Sequence, residues 1–165
     1  MNDANANNPD GNVIFSGTKE VAENLKFDQS RLQEWLGDSL PSAGKIIDVA
    51  QFKGGQSNPT YKIITEQKEL VLRRKPPGIL LPSAHAVDRE YKVMTALKDT
   101  AVPVPQTYGL CEDEDVIGTS FFVMDFLDGD IYWDLLLEDK SLEERKAIYK
   151  SKNQVIAELH KVDYT

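Results

Sequence analysis

The apolar positions of the chain follow two rhythms, a two-residue alternation that marks strands and a three- to four-residue spacing that marks helices. Asp28 stands where a helix cap is favoured, and Leu32, Trp35 and Leu36 behind it share one helical face that Gly37 and Pro41 bring to an end. Residues 45–52 read as a strand in which Ile47 and Val49 alternate with polar neighbours. Gly54 and Gly55 interrupt it. A second strand over 60–65, the polar turn Glu66-Gln67-Lys68 and a third strand over 69–74 complete an antiparallel meander.

Residues 75–83 contain Pro76, Pro77, Gly78 and Pro82 and are excluded from helix interior. The spacing of Val87, Tyr91, Met94 and Leu97 predicts a helix over 87–98, and Val102-Pro103-Val104-Pro105 an extended connector after it. Two further strands are expected over 106–111 and 120–126, joined by the acidic run 112–115. Past Asp128-Gly129-Asp130 the pattern turns helical. Ser141 and Glu144 have capping-box spacing, and a helix over 142–160 is expected to turn Ile148, Val155, Ile156 and Leu159 inward. The Asn-rich start, 1–12, reads as a disordered tail. The order predicts an α+β fold, a five-stranded antiparallel sheet with one inserted helix, and no internal repeat.

Composition narrows the function classes. A length of 165 residues allows one domain, or one lobe and part of another. The net charge of -8 argues against a nucleic-acid partner. Cys111, the single cysteine, excludes an internal disulfide and a Cys-based zinc cluster. No apolar run reaches the roughly 20 residues a membrane span needs, and the start lacks the apolar core of a signal peptide. No membrane partner is expected. The default location is intracellular and cytoplasmic, with mitochondrion and peroxisome left open.

Several junction sequences resemble the aminoglycoside phosphotransferase and choline kinase-like family. Gly54-Gly55-Gln56-Ser57-Asn58-Pro59-Thr60-Tyr61 resembles its nucleotide loop, Leu70-Val71-Leu72-Arg73-Arg74 its third strand, and Asp88-Arg89-Glu90-Tyr91 the start of its inserted helix. Phe121-Phe122-Val123-Met124-Asp125-Phe126-Leu127-Asp128-Gly129 resembles its hinge. With Pro76-Pro77-Gly78 and Leu81-Pro82-Ser83-Ala84-His85, the set is most similar to the kinase-like domain that accompanies some acyl-CoA dehydrogenases. The resemblance runs from about Asp28 to the end. It implies a protein-kinase-like small lobe with its N-terminal helix over 13–127, and a linker with the first helices of a large lobe over 128–165.

The resemblance also implies chemistry. Glycine in the 54–58 turn lets backbone N–H groups approach phosphate oxygens without a Cβ in the way, so Gly54, Gly55, Gln56, Ser57 and Asn58 are candidates to cradle ATP. A plain Gly-Gly hairpin is the competing reading. A kinase-like site needs a cation on the third strand and a carboxylate on the inserted helix to orient it. Arg73 and Glu90 match those positions, where many relatives in this branch also carry Arg. The bland alternative makes both solvated surface charges. Arg74 and Lys75 compete for the phosphate role, and strand alternation groups Val71 with Arg73 and Leu72 with Arg74. Asp125, Phe126 and Leu127 are the hinge expected to read adenine through the backbone, with Met124 limiting pocket depth.

Asp125, Asp128, Asp130 and Asp134 invite a metal reading, but a solvated, helix-capping linker is preferred and no metal ligand is assigned. His85, in the loop before the inserted helix, is a candidate for binding, and His160 is expected to pack structurally. The family's His-Gly-Asp catalytic loop, which would bring the base and the Mg²⁺ ligands, has no counterpart in the sequence. The reading is an incomplete chain of an ATP- and Mg²⁺-dependent phosphotransferase. It would act on a hydroxyl of a small molecule, for which the resemblance suggests a hydroxyacyl-CoA, and be fused to or associated with an acyl-CoA dehydrogenase domain. The alternative is a non-catalytic nucleotide-binding or protein-interaction module.

Overall fold

The computed structural model describes residues 16–54, 57–78, 85–132 and 134–163. The 1–12 tail, Gly55, Gln56 and the Leu81 to Ala84 motif lie outside the described residues. Strands β1 (Thr18–Lys19), β2 (Ile46–Phe52), β3 (Thr60–Thr65), β4 (Glu69–Arg74), β5 (Thr107–Cys111) and β6 (Phe121–Asp125) form one sheet in the order β1-β2-β3-β4-β6-β5. Every pairing is antiparallel. The sheet has six strands where the pattern predicted five. The added strand, β1, pairs Thr18 with Phe52 and Lys19 with Gln51, and two residues are too few to show an alternation.

Helix α1 (Gln29–Ser39) closes one face. The Asp28 carboxylate accepts from the Ser30 and Arg31 N–H groups at its start. Leu32 and Leu36 enter a core with Tyr61, Ile63, Leu70, Leu72, Phe121 and Val123, the inward residues of β3, β4 and β6. Trp35 packs edge-on against Phe121, ring centroids 4.8 Å apart. Its ring also passes over Gly109, where a Cβ would stand 3.1 Å from it. Helix α2 (Val87–Leu97) packs on the other face, with Val87 buried and Tyr91 6.0 Å from Phe122.

The structure departs from the local expectations at four points. Ile47 is not inward with Val49: the ladder shifts register between Ile46 and Asp48, and this irregularity leaves Ile47 66% exposed. The acidic connector contains a short helix, α3 (Glu114–Ile117), capped by Asp113 and ended by Gly118 in the left-handed region. Helix α4 (Leu142–Leu159) forms with its Ser141–Glu144 capping box but buries no residue. Ile156 and Leu159 are exposed, because no sheet face covers the stripe among the described residues. His160 does not pack; it is exposed, and its backbone N–H caps the helix on the Ile156 carbonyl. No helix among the described residues is long and apolar enough to cross a membrane.

Candidate functional site

A cleft of about 810 Å³ opens on the α2 face, between the sheet and the linker that follows β6. Its floor comes from alternation: Thr60 on β3, Val71 and Arg73 on β4 and Met124 on β6 all line it. Phe52 and Gly54 border it at the end of β2, and residues 125–132 form the opposite rim. Phe52 lies nearly parallel to Phe126, ring centroids 6.2 Å apart. The Lys62 ammonium sits 4.1 Å over the Phe126 ring, which fixes that side chain from behind.

Arg73 is the organising cation. Its Nε donates to Glu90 Oε2 at 2.5 Å, its Nη2 to Glu90 Oε1 at 3.3 Å and its Nη1 to Thr60 Oγ1 at 3.1 Å. The first two form a bidentate fork between β4 and α2. Asn58 Nδ2 donates to Glu90 Oε1 at 3.0 Å, and His85 Nδ1 lies 2.9 Å from Asn58 Oδ1.

Arg74 faces the other way. It is 3% exposed, its Nε donates to Thr119 Oγ1 at 3.0 Å, and its guanidinium lies 5.7 Å from the Phe27 ring. Burial lowers its pKa, with Tyr61 opposing the shift. The alternation thus leaves Arg73 in the cleft and takes Arg74 out of contention. Lys75 is not among the lining residues.

The hinge is tied to its neighbours. The Asp125 N–H donates to the Gln106 carbonyl at 2.9 Å and the Phe126 N–H to the Glu69 carbonyl at 3.3 Å. The Asp125 carboxylate accepts from the Tyr108 hydroxyl at 2.6 Å, and Lys68 donates to that same hydroxyl at 2.7 Å. Burial first, then the bond to Asp125, pushes the Tyr108 pKa up; the bond to Tyr108 raises that of Lys68. Leu127, the next hinge residue, lines the cleft and is 64% exposed.

The structure therefore brings Gly54, Arg73, Met124, Asp125, Phe126 and Leu127 around one cleft. Glu90 and Asn58 stand behind Arg73, and Ser57 is exposed away from the lining. Sequence reasoning missed Thr60, although the meander register places it opposite Arg73 and so could have found it. It also missed Phe52, Tyr132 and Lys140; the last two come from an irregular linker with no periodic signal. Asp134 caps a turn, accepting from the Glu138 and Leu136 N–H groups, which hold its carboxyl below the usual range. Among the described residues no group of three or more His, Cys, Asp or Glu is placed to hold a metal ion.

The cleft combines an apolar slot between Phe52, Val71 and Met124 with a guanidinium held at one end by a carboxylate. Comparison with known proteins bears on that arrangement. The model of the phosphotransferase enzyme family matches residues 48–165. Acyl-CoA dehydrogenase family member 10 of Mus musculus is 44% identical over 148 residues, covering 88% of this chain and 14% of the relative. Acyl-CoA dehydrogenase family member 11 of Homo sapiens is 40% identical over 155 residues, covering 90% of this chain and 20% of the relative. The chain thus spans a fifth or less of the length of these curated relatives. A crystal structure from Ralstonia eutropha JMP134, assigned to the aminoglycoside phosphotransferases, superposes with a TM-score of 0.72 at 45% identity. It covers 84% of this chain and 40% of its own.

Proposed function

The chain belongs to the phosphotransferase enzyme family, and from that premise we propose that it forms the ATP-binding part of a kinase acting on the hydroxyl of a small molecule. The observation that carries this reading is the Arg73 guanidinium, held by Glu90 and Thr60 at the polar end of an apolar cleft. The fork fixes its plane before any ligand arrives, and its remaining N–H donors are available to phosphate oxygens. Phe52, Val71 and Met124 supply flat apolar contact for a purine. The Asp125 and Phe126 N–H groups are engaged by neighbouring strands, so Leu127 is the hinge residue assigned to read the adenine edge.

ATP supplies the γ-phosphoryl group, and Mg²⁺ neutralises its charge. This chain's own residues bind and orient. Asp128, Asp130 and Asp139 line the rim, so their charge disfavours free ATP and favours its magnesium complex. The names of the curated relatives support an acyl-CoA-linked setting. We assign the acceptor to the hydroxyacyl-CoA class and the whole protein to a fusion with an acyl-CoA dehydrogenase domain.

Isothermal titration of the chain with ATP, with and without Mg²⁺, tests the nucleotide reading. Saturable binding that weakens about tenfold in Arg73→Ala, the loss of one charge-assisted contact, is expected. A folded chain with no saturable binding up to about 1 mM ATP, an affinity near -4 kcal/mol, overturns it.

A further inference from the structure

We propose that Asn58 and His85 are positioning residues that hold the Glu90 carboxylate in register with Arg73, rather than contacts to the nucleotide. The inference rests on the nucleotide reading of the cleft. Asn58 belongs to the loop that would be expected to touch phosphate, yet it is 3% exposed and absent from the cleft lining. Donor and acceptor chemistry fixes its orientation. A carboxylate paired with arginine only accepts, so the Asn58 NH₂ must face Glu90, at 3.0 Å. Asn58 Oδ1 then faces His85, and His85 Nδ1, 2.9 Å away, must carry the proton and donate.

The chain His85–Asn58–Glu90–Arg73–Thr60 thus converges on Glu90, which accepts from Asn58 on one side and from Arg73 on the other. It links the segment before α2, the nucleotide loop, α2 itself, β4 and β3. Glu90 Oε1 accepts from both Asn58 and Arg73 Nη2, so losing the amide lets the carboxylate swing and opens the fork. The His85 backbone supports the same role. Its φ of 57° lies in the left-handed region, which few residues other than Gly adopt and which Asn, Asp and His tolerate best, and that turn delivers the ring to Asn58.

The test reads the Arg73 Nε–Hε signal by NMR in the ligand-free chain, identified by its loss in Arg73→Lys, and ATP affinity in parallel. His85→Gly and His85→Asn both accept the backbone angle, but only Asn can donate to Asn58. We expect Hε exchange to quicken and ATP to weaken about tenfold in Asn58→Ala and His85→Gly, the worth of one hydrogen bond to a charged group. His85→Asn should restore both, and main-chain spectra should stay native. Unchanged Hε exchange in His85→Gly and Asn58→Ala overturns the proposal, as does failure of His85→Asn to rescue. If Asn58→Ala does not fold, the Gly and Asn pair at position 85 decides alone. A wild-type chain with a protected Hε that does not bind ATP would sink the nucleotide reading and leave the relay standing.

Discussion

Arg74 is buried beside Phe27 and Tyr61, and among the described residues no carboxylate pairs with it; its Nη1 is buried with no hydrogen-bond partner. A buried charge left partly unsatisfied is often replaced by a hydrophobe of similar volume without loss. Arg74→Met should therefore leave Tm within about 3 °C of the parent, or raise it, and leave ATP affinity unchanged in the same titration. Arg73 behaves oppositely because its value lies in fork geometry. Arg73→Lys keeps the charge but cannot hold Glu90 and Thr60 together, so it should bind ATP no better than Arg73→Ala. Cys111 is 2% exposed, and burial pushes its thiol pKa up. The folded chain should resist iodoacetamide near pH 8 by mass spectrometry and react once denatured. The different fates of Arg73 and Arg74 were legible in the sequence, because a strand's pleat follows from position alone. The Asn58–His85 contact was not, since it depends on a backbone angle that no composition rule indicates.

Strands β3 and β4 match their sequence-predicted bounds because β3 alternates cleanly, β4 carries a short apolar run, and a polar turn separates them. Helices α1 and α2 were equally readable from their stripes. The outward Ile47 was not, because a shift in register moves a side chain without altering the pattern around it. Helix α4 shows the other gap: amphipathic spacing says which face favours burial, not whether anything covers it. With no buried residue, α4 depends on its cap. The bonds from Ser141 hold the Glu144 carboxyl below its ordinary value of 4.5. A lowered folded pKa contributes stability above the unfolded value that is lost as pH falls through the folded one. The amides of α4 should thus lose protection, measured against intrinsic exchange at the same pH, in Ser141→Ala and on acidification below about pH 4.5. Those of β3 and β4 should keep their protection under either condition.

Across the molecule, order divides near residue 126. The buried hydrophobic residues belong almost wholly to the segment up to Val123, whereas Leu127, Ile131, Leu135, Leu136 and Leu142 beyond it are exposed. Limited proteolysis should cut first in the 127–141 linker and leave a resistant sheet unit, read by mass spectrometry; equal cleavage within β3 or β4 would refute that division. The turn between those two strands has a further consequence. Thr65 locks it, its N–H donating to the Lys68 carbonyl at 3.0 Å and its hydroxyl at 2.8 Å. Everything downstream is counted from there, and on a pleated strand the count has parity. One residue added after the lock and carried into β4 would send Arg73 toward Phe27 and leave Arg74 over the cleft, whereas two added residues would restore the original facing. Whether the count added between the turn and β4 is odd or even, rather than the identity of any side chain, then decides which arginine faces the cleft.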